Sequence, residues 1–146
     1  MNFKSAVLGM VFMTMFAGTA EVAKGSFEVK LKPVESAAVG RMTIDKTFAG
    51  DLAGTSQGEM LAHMSGVKGS AGYVAMEKVT ATLAGRKGTF VLQHTGTMAG
   101  GKQELRITVV PDSGTDGLTG VAGIMDIRIE GKDHFYTFTY TLPVAQ

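Results

Sequence analysis

Two side chains near the middle of the sequence, Glu77 and His94, could exchange protons. Both fall in the segment Ala71 to Met98, whose alternating residues predict two antiparallel strands joined by a turn. With Gly85 and Arg86 as the two turn residues, facing residues have numbers that add to 171, and Glu77 faces His94. A buried carboxylate needs a partner, and imidazole exchanges protons near neutral pH. The two residues are therefore either a candidate catalytic pair or a structural pair that fixes the strand register.

Inward-facing residues of this hairpin and of other predicted strands could line a pocket around Glu77 and His94. The register of 171 places other residues opposite each other: Tyr73 and Met98, Val79 and Leu92, Ala81 and Phe90. In a strand, every second residue points to the same face, and we say that residues pointing into the barrel have the inward parity. Polar side chains of this parity either line a cavity as hydrogen-bond donors or pack with their polar ends at a barrel mouth. The candidate residues of a ligand pocket are Lys46, Tyr73, Leu92, Tyr136 and Tyr140.

The other residues that could bind a metal, a cofactor or a phosphate form no recognisable motif, so we predict neither a metal site nor a cofactor. The three histidines, His63, His94 and His134, are not spaced as a metal-binding motif, and His63 has the outward parity. Asp112 begins a segment that resembles a calcium loop, but glycine stands at its third and twelfth positions. The sequence also lacks the glycine-rich loop that binds phosphates and the serine motif of hydrolases.

The overall composition excludes several kinds of partner and fits one domain. A chain of 146 residues with 45% hydrophobic residues has the size of a single globular domain. Its formal net charge is +1 and it has no run of lysine and arginine, so we expect no nucleic-acid partner. The absence of cysteine excludes disulfide bonds and thiolate chemistry.

The first 20 residues have the features of an export signal. Lys4 precedes an uncharged apolar run from Ala6 to Phe16, and the small residues Gly18 and Ala20 fit cleavage after Ala20. The run is too short for a permanent membrane helix, which needs about 20 apolar residues. We expect a leader over residues 1–20 and one exported domain over residues 21–146, in the periplasm or outside the cell, without a membrane span. The alternative is a cytoplasmic protein that keeps the leader.

Alternating apolar and polar residues predict three strands before the central hairpin. The first ends at Pro33, which cannot extend a ladder of hydrogen bonds; the second covers Arg41 to Phe48 and the third Leu52 to Met64. A three-residue loop at 49–51 lets the inward faces of the second and third strands coincide, whereas a two-residue loop does not.

Three further strands follow the central hairpin. A turn at Gly100-Gly101 makes facing numbers add to 201, and a strand from Leu118 to Glu130 follows the turn that begins at Pro111. A turn at Gly131-Lys132 then makes facing numbers add to 263. Eight short strands in series predict an all-β fold, an antiparallel eight-stranded barrel that hides its edges by closing. The interior of such a barrel is either filled by side chains or holds one small ligand.

Four stretches of the sequence carry a resemblance to a known family: KGSFEVKLKP, RMTIDKTFAGDLAGTSQGEML, GSAGYVAMEKVTATLAGRKGTFVLQHTGTM and VVPDSGTDGLTGVAG. Between Lys24 and about Pro143 the chain resembles a family of small bacterial proteins known as domain of unknown function 3224. The resemblance implies a barrel similar to that of plant allene oxide cyclase. It implies no reaction, because shared barrels host unrelated functions.

Two functional hypotheses follow from these observations. In the first, the barrel binds a small apolar molecule and isomerises or cyclises it through Glu77 and His94. In the second, the protein is a non-catalytic exported module that forms homo-oligomers through outward apolar residues such as Val74, Met76 and Val91.

Overall fold

The computed structural model describes residues 18–35 and 38–144, which form eight strands and one short helix. The strands are β1 (Glu21–Val34), β2 (Gly40–Gly50), β3 (Leu52–Met64), β4 (Ala71–Leu83), β5 (Arg86–Ala99), β6 (Lys102–Val109), β7 (Ala122–Glu130) and β8 (Asp133–Thr141). A 3-10 helix, Asp116–Leu118, lies between β6 and β7. Most of the predicted leader, residues 1–17, lies outside the described residues.

The strands form one closed antiparallel barrel in chain order, in which β8 pairs with β1. The predicted fold class is therefore confirmed. Every second residue of β4 and β5 points inward, and Val79, Phe90 and Leu92 are each 0% exposed. The apolar set therefore fills the interior, while threonines and lysines of the other parity face solvent.

The β4–β5 hairpin turns one residue earlier than the sequence predicts. Its two turn residues are Ala84 and Gly85, with φ angles of 50° and 72°, and Leu83 pairs with Arg86. Positive φ at both central residues is the type I′ geometry, in which glycine favours the second position rather than the first. The prediction that Gly85 and Arg86 form the turn is therefore wrong.

Facing residues of this hairpin have numbers that add to 169 and not to 171. The observed pairs are Tyr73 with Gly96, Ala75 with His94, Glu77 with Leu92, Val79 with Phe90, and Ala81 with Gly88. Every partner thus moves by two residues, so each side chain keeps its predicted face. Glu77 and His94 are consequently diagonal neighbours on the inward face instead of a facing pair.

The other predicted registers hold in two hairpins and shift in one. Facing numbers add to 201 in β5–β6 and to 263 in β7–β8, as predicted. In β2–β3 Phe48 faces Gly54, whereas a three-residue loop at 49–51 would make it face Leu52. The shift again amounts to two residues, so the inward faces of the two strands still coincide.

The boundaries of β1, β2 and β7 differ from the sequence prediction, and β2 extends from Gly40 to Gly50 instead of from Arg41 to Phe48. β1 continues through Pro33, which faces Met42 of β2. On its other side β1 pairs with β8 only as far as Phe27, so Pro33 lies at a free edge, where a residue without an N–H group is tolerated. β7 begins at Ala122 and not at Leu118, because Leu118 ends the 3-10 helix.

One end of the barrel, which we call the closed end, is filled by large apolar side chains. It is the end at which β2 joins β3 and β4 joins β5. The segment between β6 and β7 packs across it, and a Cβ atom at Gly88 would lie 2.2 Å from the carbonyl oxygen of Thr115 in that segment. Glycine at position 88 therefore permits the close approach. The buried side chains of the closed end are Leu52, Leu83, Phe90, Leu118, Val121 and Phe138.

Candidate functional site

Four polar side chains inside the barrel form a group that we call the polar cluster: Lys46, Ser56, Glu77 and His94. They come from four neighbouring strands, β2 to β5, with one residue from each strand. All four are buried, with exposed fractions between 0% and 7%. Strand alternation places them inside together with the apolar core, so a closed barrel brings them within contact distance.

Glu77 lies at the centre of the polar cluster. Its Oε2 atom accepts a hydrogen bond from Lys46 Nζ at 2.8 Å and lies 2.9 Å from His94 Nε2. Its Oε1 atom accepts a hydrogen bond from Ser56 Oγ at 2.5 Å. The structure thus brings Glu77, His94 and Lys46 together. The sequence prediction did not identify Ser56, although its inward parity on β3 was a usable signal.

The carboxyl group of Glu77 is ionised at neutral pH. Burial by itself raises the pKa of Glu77, but the hydrogen bond from His94, the charge and hydrogen bond of Lys46 and the hydrogen bond from Ser56 lower it to about 2. An ionised carboxylate only accepts hydrogen bonds, so we assign the shared proton to Nε2 of His94. Because Glu77 is 0% exposed, its negative charge acts directly only on the three side chains that it contacts, Lys46, Ser56 and His94.

The second ring nitrogen of His94, Nδ1, has no hydrogen-bond partner among residues 18–35 and 38–144. In that same part of the chain, no fully buried side-chain nitrogen or oxygen lacks a partner. Nδ1 therefore reaches accessible space, although His94 as a whole is only 3% exposed. With the proton on Nε2, this atom is a free hydrogen-bond acceptor.

Tyr73 lies beside His94, with 6.3 Å between the ring centroids. Its ring covers Gly96, where a Cβ atom would lie 2.3 Å from the ring, so only glycine leaves room for this position. Burial and the charge of Glu77 raise the pKa of Tyr73, which keeps its hydroxyl group protonated. Within the described part of the chain this hydroxyl group has no hydrogen-bond partner, so Tyr73 carries a free donor on a ring that lies beside the His94 ring.

The other end of the barrel, which we call the open end, leaves inward apolar side chains uncovered. It is the end at which β3 joins β4 and β5 joins β6. Leu31, Leu105 and Ile129 have the inward parity, yet they are 47%, 44% and 62% exposed. Tyr73 lies at the start of β4, on the same side. The open end therefore presents an apolar rim on the side where Tyr73 lies, and Leu105 of this rim faces Gly96, two residues after His94.

The remaining predicted pocket residues do not lie at the open end. Leu92 is fully buried and faces Glu77. The Tyr136 hydroxyl group accepts a hydrogen bond from the Leu52 N–H group at 2.8 Å and donates to the Leu52 carbonyl oxygen at 3.0 Å. The Tyr140 hydroxyl group donates to Glu21 at 2.8 Å, and burial together with this contact raises the pKa of Tyr140 to about 12. Both tyrosines thus tie strands together towards the closed end.

Three grooves on the outer wall of the barrel have volumes of about 720, 450 and 280 Å³. The largest crosses β1, β7 and β8, where the Arg128 guanidinium lies 4.9 Å from the centroid of the Phe135 ring. The smallest is lined in part by Lys46 and Ser56. Glu77 and His94 line none of these three grooves.

Within the described ranges, no three histidine, cysteine, aspartate or glutamate side chains are grouped so that they could hold a metal ion. Among the same residues, no helix has the length and apolar character needed to cross a membrane.

The sequence matches the family described as "Protein of unknown function (DUF3224)" over residues 16–140. The structure is similar to the crystal structure of a protein with unknown function from the DUF3224 family of Shewanella oneidensis MR-1. The two sequences are 48% identical, the match covers 87% of this chain and 100% of the other, and the TM-score is 0.83. A search of curated proteins found no match. The chain therefore belongs to the DUF3224 family.

Proposed function

We propose that the barrel binds a small, mainly apolar molecule at its open end, where one polar group of that molecule bonds to His94 and Tyr73. One observation carries the proposal: the barrel end with an exposed apolar rim is also the end towards which the polar cluster lies, and within the described residues Nδ1 of His94 in that cluster has no hydrogen-bond partner. Sites for small molecules combine apolar walls with a few polar groups that fix orientation.

The two free polar groups favour a hydroxyl group on the bound molecule. Nδ1 of His94 accepts a hydrogen bond and the Tyr73 hydroxyl group donates one, and a ligand hydroxyl satisfies both at once. An ether or ketone of the same shape only accepts, which leaves Nδ1 unpaired once the molecule covers it. An unpaired buried polar atom costs about 1–3 kcal/mol.

The same arrangement supports acid–base chemistry at His94. Its Nδ1 atom takes a proton from the bound molecule and returns it, while the negative charge of Glu77 stabilises the imidazolium that forms between the two steps. Glu77 acts as a positioning residue, because its pKa of about 2 makes it a poor proton acceptor and it is sealed from the open end. An isomerisation by proton transfer fits this division of roles.

Fluorescence titration with 2-naphthol tests the binding proposal. The probe has an apolar ring system and one hydroxyl group, and the chain has no tryptophan that would mask its emission. We expect saturable binding to the wild-type protein and about tenfold weaker binding of 2-methoxynaphthalene, which lacks the donor. His94→Phe should remove this preference. Equal affinities of the wild-type protein for both probes would contradict the proposed role of His94.

A matched pair of lysine substitutions tests whether the binding site lies at the open end of the barrel. Leu105→Lys places a charge at the open end, whereas Val74→Lys places it on the outer wall at a side chain of similar exposure, 44% against 51%. We expect Leu105→Lys to weaken 2-naphthol binding at least tenfold and Val74→Lys to leave it unchanged. Equal effects of the two variants, or no saturable binding to the wild type, would overturn the proposal.

A second candidate function is a non-catalytic exported module that assembles into homo-oligomers. It is favoured by Val74 and Met76, which are 51% and 50% exposed on the outer wall, with Val91 half-buried beside them. In that case Val74→Lys should lower the molecular mass seen in size-exclusion chromatography with light scattering. Under the first proposal this variant keeps both its mass and its affinity for 2-naphthol.

A further inference from the structure

Strands β6 and β7 share a single residue pair, Thr108 with Ile124. Each of the two strands pairs fully with its other neighbour, β6 with β5 and β7 with β8. From this single pair towards the open end, residues Lys102 to Arg106 and Asp126 to Glu130 have no strand partner on their facing edges within the part of the chain that the structure describes. We call these two unpaired edges the seam.

The seam begins at the level of His94. Ile107, which precedes Thr108, faces His94 across β5 and β6. The next inward residue of β6, Leu105, is 44% exposed, and Ile129 on the other side of the seam is 62% exposed. The unpaired edges of the seam therefore run from the level of His94 to the open end, one strand away from His94.

The charges on the two edges are complementary in one register. If the pair of Thr108 and Ile124 is continued, facing numbers add to 232 and three oppositely charged pairs face each other: Arg106 and Asp126, Glu104 and Arg128, Lys102 and Glu130. In the structure the Lys102 ammonium forms an ion pair with Glu104 at 3.7 Å, and Arg128 pairs with Glu130, each within its own strand. Cross-strand pairs of opposite charge favour pairing by about 0.2–1 kcal/mol each.

We propose that the seam is a lateral gate whose edges pair in this register and separate again. On closing, Leu105 faces Ile127 and Gln103 faces Ile129, and both edges gain backbone hydrogen bonds. Closure covers the apolar rim beside His94, and opening exposes it. The role of the gate as an entrance rests on the proposed binding function, whereas the pairing of the edges does not.

Disulfide trapping tests the gate directly, because the chain has no cysteine of its own. Gln103→Cys combined with Ile129→Cys leaves all three charged pairs intact and brings two thiols within bonding distance only when the seam is paired. We expect an intramolecular disulfide to form under mild oxidation. Arg106→Asp should slow its formation about fivefold, and Arg106→Asp with Asp126→Arg should restore the rate.

Gln57→Cys with Lys78→Cys provides the reference, because these residues face each other in the paired β3–β4 ladder. The rate of disulfide formation in this reference variant should exceed the rate for the seam pair and should not respond to Arg106→Asp. Four results would overturn the gate: no disulfide, a rate equal to the reference, a rate insensitive to the charge changes, or a disulfide between two chains on a non-reducing gel. No ligand is needed, so failure here is distinguishable from failure of 2-naphthol to bind.

Discussion

The two ends of the barrel differ although the same strands run through both. At the closed end Leu52 and Phe90 are 0% exposed, and the segment between β6 and β7 adds Leu118 to the core. At the open end inward side chains such as Leu105 and Ile129 remain 44% and 62% exposed. Strand alternation thus decides which side chains point inward, but a covering segment decides whether they become core.

The polar cluster marks the boundary between the two ends. It separates a packed interior from a rim of exposed apolar side chains, where we propose that binding occurs. The rim and the seam have few contacts to lose, so changes there should affect binding and strand opening more than the free energy of unfolding.

Truncation of an apolar side chain at each end makes the comparison quantitative. Phe90→Ala removes a ring that stacks on Phe138 at 5.7 Å between centroids, and we expect it to lower the free energy of unfolding by about 3–5 kcal/mol. Leu105→Ala should cost less than about 1 kcal/mol, because the side chain is largely in water already. Urea denaturation of both variants measures the difference, and equal costs would contradict the distinction between the ends.

Removal of Glu77 tests whether the polar cluster belongs to the stable part of the barrel. Glu77→Ala leaves the ammonium group of Lys46 buried without its anion, and we expect a loss of about 3–5 kcal/mol in urea denaturation. Glu59→Ala is the matched control, because Glu59 is paired with Arg41 on the surface and should cost less than about 1 kcal/mol. Similar losses for both glutamates would show that the cluster contributes no more than a surface pair.

The lowered pKa of Glu77 predicts a dependence of stability on acid pH. The unfolded chain takes up the proton near pH 4.5 and the folded protein only near pH 2, so the stabilisation is complete above pH 4.5 and declines as pH falls towards 2. The total amounts to roughly 3 kcal/mol. It should appear as a shrinking difference in unfolding free energy between the wild type and Glu77→Gln. A constant difference over this range would mean that Glu77 is not held ionised by its neighbours.

The sequence predicts the inward and outward faces better than it predicts contacts between strands. Alternation alone places Lys46, Glu77 and His94 inside, and these positions survive the error in the β4–β5 register because the error is an even number of residues. The register itself depends on Ala84 adopting a positive φ, for which the residue type gives no signal.

The rest of the candidate site depends on how the barrel closes. The contact of Glu77 with Lys46 spans β2 to β4, and curvature rather than local pattern brings these side chains together. The single residue pair between β6 and β7 likewise results from closure around the whole barrel. Neither feature can be found by inspecting one hairpin at a time.

The most direct test of the proposed site is the protonation of the His94 imidazole, observed by long-range ¹H–¹⁵N NMR before and after addition of 2-naphthol. We expect the free protein to carry the proton on Nε2, and we expect 2-naphthol to shift the Nδ1 resonance of His94 while the resonances of His63, on the outer wall, stay in place. A proton on Nδ1 in place of Nε2 in the free protein, or an Nδ1 resonance that does not respond to the probe, would contradict the claim that this atom is the free polar group of the open end.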